Sequence, residues 1–130
     1  MSIKGQVARD IMASPIKWST VAAGFELYKE GAISFAKFKP DMAVWYPALK
    51  LNGEAGEVAE KIGKVFRDNE GVFSEEDKAE ILKEVGDVLW YCAAVCHGLG
   101  LSLADAAIGN FNKLIDRADR GVLAGSGDNR

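Results

Sequence analysis

Residues 54–65 read EAGEVAEKIGKV and residues 84–95 read EVGDVLWYCAAV, so one acidic sequence pattern occurs twice. Both copies follow E-x-G-[E/D]-V and carry a valine at the twelfth position. Residues three apart on a helix point in the same direction, so each copy offers a pair of carboxylates. The repeat therefore predicts two helices of one design, each with an acidic pair at the border of its apolar stripe.

The apolar residues of both copies recur at helical spacing. At about 100° per residue they fall on one broad arc of each helix, and we expect these arcs to be buried. In the first copy the arc holds Ala55, Val58, Ile62, Val65 and Phe66, and in the second it holds Ile81, Val85, Val88, Leu89, Cys92 and Val95.

The rest of the chain favours helices with short connections, and no convincing run of strict alternation argues for strands. The fold class predicted is all-α, a bundle of four to five helices. Capping residues Ser19 and Thr20 open the first predicted helix, and Pro47 marks the start or a kink of the second. Ser74 with Asp77, and Ser102 with Asp105, resemble capping boxes. The predicted helical segments are 19–38, 47–67, 74–100 and 102–120.

The length of 130 residues predicts one domain. We divide the chain into an N-terminal segment, 1–18, without a defined structural signal, a single all-α domain, 19–120, and a polar, glycine-rich tail, 121–130.

Composition excludes several classes of partner. The net charge is −3, so no bulk basic surface attracts nucleic acid. No apolar run reaches membrane-spanning length, and the N-terminus lacks the apolar region of a secretion signal. Cys92 and Cys96 lie four residues apart in a helical pattern, which indicates reduced thiols and a cytoplasmic chain.

Four converging carboxylates need a cation. Two like charges about 4 Å apart repel by roughly 4 kcal/mol at an effective dielectric near 20. A hard divalent ion such as Mg²⁺, or Mn²⁺ in its place, relieves that repulsion. The alternative is that each acidic pair is an ordinary solvated helix face. A di-iron centre is excluded, because it needs Glu-x-x-His pairs and the one histidine, His97, does not follow a glutamate at that spacing.

Each acidic pair contains a glycine, Gly56 in the first and Gly86 in the second. A glycine inside a helix costs about 1 kcal/mol relative to alanine. The missing side chain leaves room, and we expect a neighbour or a ligand to use it.

The sequences GEAGEVAEKI and ILKEVGDVLWY resemble the MazG-like nucleoside triphosphate pyrophosphohydrolases of the all-α superfamily, whose signature is E-x-x-E followed by E-x-x-D. The resemblance runs from about Tyr28 to the C-terminus and is strongest to single-domain phage and bacterial members. It implies Mg²⁺-dependent hydrolysis of a (deoxy)nucleoside triphosphate to a monophosphate and pyrophosphate. It also implies a homodimer or a dimer of dimers with active sites at subunit interfaces, in the host cytoplasm if a phage encodes it.

The resemblance assigns roles by residue. Glu54, Glu57, Glu84 and Asp87 correspond to the metal-holding and catalytic carboxylates, and Glu57 is preferred for orienting the attacking water. Lys61 is assigned to phosphate oxygens, with an i,i+4 pair to Glu57 as the alternative. Sugar or phosphate contacts are implied for Asn110, Lys113 and Arg117.

The aromatic residues leave two interpretations open. Trp90 and Tyr91 follow Asp87, and they either line a base pocket or belong to the core or an interface. Trp45 and Tyr46 leave the same choice. The resemblance to phage-type relatives implies a preference for guanine or deoxynucleotide substrates, and Lys50 has no assigned role.

A second function remains open from the sequence. The carboxylates could hold a metal or a nucleotide without turnover, in a helical assembly or a regulatory protein. Such a protein would be stabilised by Mg²⁺ and nucleotide without hydrolysing either.

Overall fold

The computed structural model describes residues 3–129, and every regular element within that range is helical. This confirms the all-α class. The helices are α1 (Gln6–Ala13), α2 (Pro15–Ile33), α3 (Trp45–Asn69), α4 (Glu75–Gly98) and α5 (Leu103–Asp119), with a short 3₁₀ helix at Pro40–Met42.

The N-terminal part is more helical than the sequence predicted. Residues 6–13 form α1, and α2 begins at Pro15 instead of Ser19. Proline suits the first helical position, and the Lys17 backbone N–H donates to Ser14 Oγ at 3.4 Å. The predicted capping residue Thr20 instead donates its hydroxyl to Ile16 O at 2.9 Å inside the helix. The prediction failed because a hydroxyl can bond to the preceding turn as well as cap a helix.

The predicted start of α4 is confirmed. Ser74 Oγ accepts from the Asp77 backbone N–H at 3.0 Å, and Asp77 Oδ2 accepts from the Ser74 backbone N–H at 2.9 Å. At the start of α5, Ser102 Oγ accepts from the Asp105 N–H at 3.0 Å. A capping box thus starts α4, whereas at α5 the described contacts include only the serine half of the predicted box.

The chain divides into two compact units. One consists of residues 28–101, in which α3 packs against α4. Gly71, at φ +78°, makes the turn that joins the two helices. Gly98 permits the close approach of the chain before α3, because a Cβ there would lie 2.2 Å from Ala43 O.

The other unit combines the described residues 3–27 and 102–129, and α1 packs against α5 within it. Arg9 Nη1 lies 3.2 Å from Asp119 Oδ1. Glu26 Oε1 accepts from Ser102 Oγ at 2.8 Å and from the Ala104 N–H at 3.0 Å, so α2 holds the first turn of α5.

The buried arcs are narrower than predicted. Val65 is buried at 7% exposure, but Phe66 is 65% exposed, Val85 44% and Leu89 40%. Ala55 is exposed as well. A broad arc drawn from periodicity is wrong here because two helices packed side by side cover only a strip of each other.

Among the described residues, no single helix is both long and apolar enough to cross a membrane. Within residues 3–129, only α4 and α5 taken together reach that length and composition.

Candidate metal centre

The packing of α3 against α4 brings the two acidic pairs together. Glu54, Glu84 and Asp87 each direct a carboxylate oxygen to one place, and these oxygens lie within 4.8 Å of one another. We call these three residues the carboxylate cluster. Glu54 is buried, Glu84 is partly buried and Asp87 is exposed, so the cluster opens to solvent on one side. Converging oxygen donors with an open side suit a hard divalent cation that keeps some of its waters.

Glu57, the fourth predicted carboxylate, borders the cluster. The negative charge of Glu54 raises the pKa of Glu57, and the charge of Glu84, desolvation and a hydrogen bond with Glu84 add to the rise. The direction of this shift reports crowding of like charges. A cation bound among these oxygens would offset the like-charge repulsion that raises the pKa of Glu57. The carboxylates present therefore fit a divalent metal ion.

Two lysines flank the carboxylates along the groove between α3 and α4. Lys50 Nζ lies 3.2 Å from Glu54 Oε1. Lys61 Nζ lies 3.0 Å from Glu84 Oε1 and 3.3 Å from Glu80 Oε2. Lys61 thus pairs across to α4 and not with Glu57 on its own helix, the alternative left open by the sequence. Lys50, for which the sequence offered no role, belongs to the site.

Tyr28 and Tyr91 lie near the carboxylates, and Tyr46 lies beside Tyr91. Burial raises the pKa of Tyr28, and the nearby charge of Asp87 adds to the rise. Burial also raises the pKa of Tyr91, with a further contribution from Tyr46. Lys50 Nζ lies 6.0 Å from the centre of the Tyr91 ring. Aromatic residues therefore border the carboxylates on the side where α3 begins.

Comparison with known proteins agrees with this arrangement. Residues 48–122, more than half of the chain, match the family model of the MazG nucleotide pyrophosphohydrolase domain. The chain belongs to the MazG nucleotide pyrophosphohydrolase family. A relative from Mycobacterium phage L5, described as Gene 37 protein, is 46% identical over 85 residues, covering 65% of this chain and 75% of the relative. No solved structure gives a significant match.

Membership of the MazG family confirms the resemblance drawn from the acidic repeat, and the cluster lies inside the matched region. The domain is a nucleotide pyrophosphohydrolase domain in general terms, and its carboxylates can hold a divalent metal.

Two hollows lie in the unit formed by residues 28–101. A charged cleft of about 550 Å³ lies beside Glu57 and Glu84 and extends toward Lys64 and Asp77. A second hollow of about 490 Å³, which we call the aromatic cavity, is lined by Phe35, Lys37, Phe38, Lys39, Met42, Tyr46, Trp90 and Tyr91. The predicted pair Trp90 and Tyr91 thus lies in a cavity wall.

The three residues predicted on α5 belong to the other unit. Arg117 is 5% exposed, and its Nη2 donates to Asp128 O at 3.0 Å and Gly127 O at 3.2 Å. Lys113 Nζ lies 3.4 Å from Asp128 Oδ1, and Asn110 is exposed. Lys113 and Arg117 therefore hold the C-terminal tail, and the nucleotide role of all three residues stays a prediction.

The sequence missed several residues around the MazG site. The spacing of Lys50 to Glu54, four residues on one helix, carried a usable signal. The sequence offered Tyr46 for a base pocket, but Phe38 carried no signal, because only tertiary packing brings its segment to α4. The space beside Gly56 and Gly86 is not filled by a neighbouring residue, since a Cβ at either would meet no atom within 4 Å among the contacts described. His97 lies exposed in the last turn of α4.

Proposed function

We propose that this protein hydrolyses (deoxy)nucleoside triphosphates to a nucleoside monophosphate and pyrophosphate, with Mg²⁺ as its metal and Mn²⁺ as a substitute. The observation that carries the proposal is the convergence of Glu54, Glu84 and Asp87 within 4.8 Å in a MazG domain. A carboxylate-bound Mg²⁺ engages phosphate oxygens and offsets the charge that develops on them.

The proposal assigns a role in catalysis to each of the four carboxylates. The three cluster residues hold the metal, with Glu57 as a further ligand or as the base that orients the attacking water. The crowding that raises the pKa of Glu57 makes it a better proton acceptor. Water attacks the α phosphorus, the bond from that phosphorus to the bridging oxygen breaks, and pyrophosphate leaves while the water proton passes to the carboxylate.

Cationic side chains bind the substrate in this proposal. Lys61 lies at the carboxylates and contacts phosphate oxygens, because its ammonium can exchange one anionic partner for another. Asn110, Lys113 and Arg117 are proposed contacts to sugar or phosphate. Guanine nucleotides, GTP or dGTP, are the proposed preference.

We also propose a homodimer or homotetramer with active sites at subunit interfaces, working in the cytoplasm. The exposed apolar residues of α4 support the assembly, since Leu82 is 70% exposed and Val85 44%. The free thiols of Cys92 and Cys96 support a reducing compartment. Neither nucleic acid nor a membrane is among the proposed partners.

The decisive experiment separates the products of Mg²⁺-dependent turnover of single nucleotides. Monophosphate plus pyrophosphate supports the proposal, and diphosphate plus orthophosphate contradicts the cleavage position. The second candidate, a binding protein without turnover, predicts no products but a melting temperature that rises with Mg²⁺ and nucleotide.

The carboxylate cluster makes a sharper prediction. Glu54→Gln or Asp87→Asn should lower kcat/KM at least about 100-fold, a loss of roughly 2.7 kcal/mol of transition-state stabilisation. Glu60→Gln is the matched control, because Glu60 lies on the same helix, pairs with Lys64 at 2.6 Å and is exposed. Equal activity in the cluster variants and the control would remove the site from consideration.

A further inference from the structure

Two rows of side chains face each other along the groove between α3 and α4. On α3, Tyr46, Lys50, Glu54 and Glu57 follow at intervals of three or four residues and so share one face. On α4, Glu84, Asp87 and Tyr91 do the same. The row on α3 therefore runs from an aromatic end, past one lysine, to the carboxylates.

The aromatic end opens into the aromatic cavity. Its volume of about 490 Å³ falls in the range of small-molecule sites, roughly 300–1,000 Å³. Most of its wall is aromatic, with Phe35, Phe38, Tyr46, Trp90 and Tyr91 contributing rings. Flat rings of this kind stack on or pack against a planar ligand.

The rings of the cavity wall hold one another in place. The ring centres of Trp90 and Tyr91 lie 4.9 Å apart in an edge-to-face contact, and those of Phe38 and Trp90 lie 6.4 Å apart. Trp90 Nε1 donates to Ala32 O at 3.0 Å. A wall fixed in this way loses little side-chain freedom when a ligand binds, which favours affinity.

Two lysines complete the cavity. Lys37 and Lys39 line it and are exposed, so their ammonium groups can move to meet a ligand. Lysine offers only donors, and it pairs with the adjacent O6 and N7 acceptors of guanine. At the corresponding positions adenine has an acceptor and an amino donor, and the amino group cannot accept from lysine.

We propose that the aromatic cavity is the subsite for the guanine base, with Lys37 and Lys39 reading its O6 and N7 edge. The nucleotide then lies along the groove, with its base among the rings, its sugar passing Lys50, its α phosphate at the carboxylates, and any further phosphates beyond them. Lys50 is placed for this passage, because its ammonium lies 3.2 Å from Glu54 Oε1 and 6.0 Å from the Tyr91 ring centre. The proposal rests on the proposed function for the identity of the ligand.

The test measures the binding of GMP and AMP by calorimetry in the presence of Mg²⁺, so that it does not depend on turnover. The wild-type protein should bind GMP about 5-fold or more tightly than AMP, because a good lysine–guanine contact discriminates by about 1 kcal/mol or more. The double variant K37M/K39M should bring the two Kd values within about 2-fold of each other, mainly by weakening GMP.

A matched control removes a lysine charge elsewhere. Lys78→Met serves, because Lys78 is 58% exposed, pairs with Glu75 three residues away and lies outside the cavity. The control should keep the GMP preference. Phe38→Leu should weaken GMP and AMP together, because it removes a ring and no base-reading donor. Circular dichroism melts show that each variant is folded.

Several results would overturn the proposal. One is equal binding of GMP and AMP by the wild-type protein, and another is a GMP preference that survives K37M/K39M. A third is that Phe35→Ser dissociates an oligomer and leaves the GMP selectivity unchanged. The last result would make the cavity an interface between copies of the chain. Pyrophosphate release from any nucleotide, measured in parallel, tests the proposed function separately: release without GMP selectivity rejects only the subsite, and lysine-dependent GMP selectivity without release rejects only the reaction.

Discussion

At the scale of single residues, two carboxylates on α3 have pKa values that shift in opposite directions. Glu57 stands beside Glu54 and Glu84, and their like charges raise its pKa. On the same helix, a hydrogen bond and the charge of Lys64 lower the pKa of Glu60. The fold therefore disfavours the charged form of Glu57 and favours the charged form of Glu60, one turn further along the helix.

This contrast predicts opposite effects of two similar substitutions. Glu57→Gln should raise the melting temperature in buffer with a metal chelator, because it removes repulsion, and it should reduce the stabilisation gained from Mg²⁺. Glu60→Gln should lower the melting temperature slightly, because it removes a favourable pair, and should leave the gain from Mg²⁺ unchanged. Thermal unfolding with chelator and with Mg²⁺ measures both effects. A stabilising E60Q or a destabilising E57Q in chelator would contradict this account.

Residue spacing predicted which carboxylates share a helix face, but it did not predict which carboxylate Lys61 contacts. The i,i+3 spacing placed Glu54 with Glu57 and Glu84 with Asp87, because side chains three apart share a helix face. The partner of Lys61 was not readable, since Glu57 on its own helix and Glu84 on α4 are both within reach of a lysine. Only the register of α3 against α4 decides between them.

At the scale of elements, α4 owes its first turn to a local device. Hydrogen bonds from the Ser74 hydroxyl and then from its backbone N–H lower the pKa of Asp77. A carboxylate with a lowered pKa in the folded state stabilises the fold above its ordinary pKa of 3.8. That contribution is lost as the pH falls from this value through the folded-state pKa.

The capping box therefore predicts a pH-dependent loss. Ser74→Ala should destabilise the protein by about 1 kcal/mol at neutral pH. The loss should shrink as the pH falls below 3.8 toward the lower folded-state pKa of Asp77, where the carboxylate of the wild-type protein becomes protonated as well. Urea unfolding at pH 7 and in acid measures it, with Ser19→Ala as the control because Ser19 Oγ bonds only to the preceding turn of α2 in the contacts described. A loss independent of pH would show that the hydroxyl acts without Asp77.

Glycines in the helices make a second prediction at this scale. Gly63→Ala should raise the free energy of unfolding by up to about 1 kcal/mol, because alanine favours helix and no described atom lies within 4 Å of the new methyl group. Gly98→Ala should lower it by about 1–3 kcal/mol, because the methyl group would meet Ala43 O at 2.2 Å. Denaturant unfolding of both variants checks the signs, and a stable G98A would show that the chain before α3 moves easily.

At the scale of the whole molecule, much apolar surface stays open. Leu82, Val85 and Leu89 recur at helical spacing on α4 and are 70%, 44% and 40% exposed. Exposed apolar residues aligned in this way are typical of surfaces that pack against another chain. They support the proposed assembly of copies of this chain.

Light scattering should therefore give a mass that is two or four times 14.0 kDa. Leu82→Glu should lower that mass, because it places a charge where apolar contact is expected, and Lys78→Met on the same helix should not. Helical content should stay unchanged in both variants, since both side chains are exposed. A wild-type mass of one chain at working concentrations would reject the assembly and, with it, active sites shared between subunits.

The sequence alone determined the local features of this protein. Helical class, the capping box of α4, the serine cap of α5 and the two acidic pairs follow from interactions within about four residues, which periodicity and residue type encode. The start of α2 was misread even at that range, because a serine or threonine hydroxyl can serve a cap or the interior of a helix.

Tertiary structure decided the partners of those local features. Packing of α3 against α4 set which lysine meets which carboxylate, how much of each apolar arc is covered, and which rings meet in the aromatic cavity. Phe38, Tyr46 and Trp90 come from three segments of the chain, so no local pattern links them. Their meeting depends on the register and angle of packed helices, which arise from the summed contacts of many side chains and not from any one spacing.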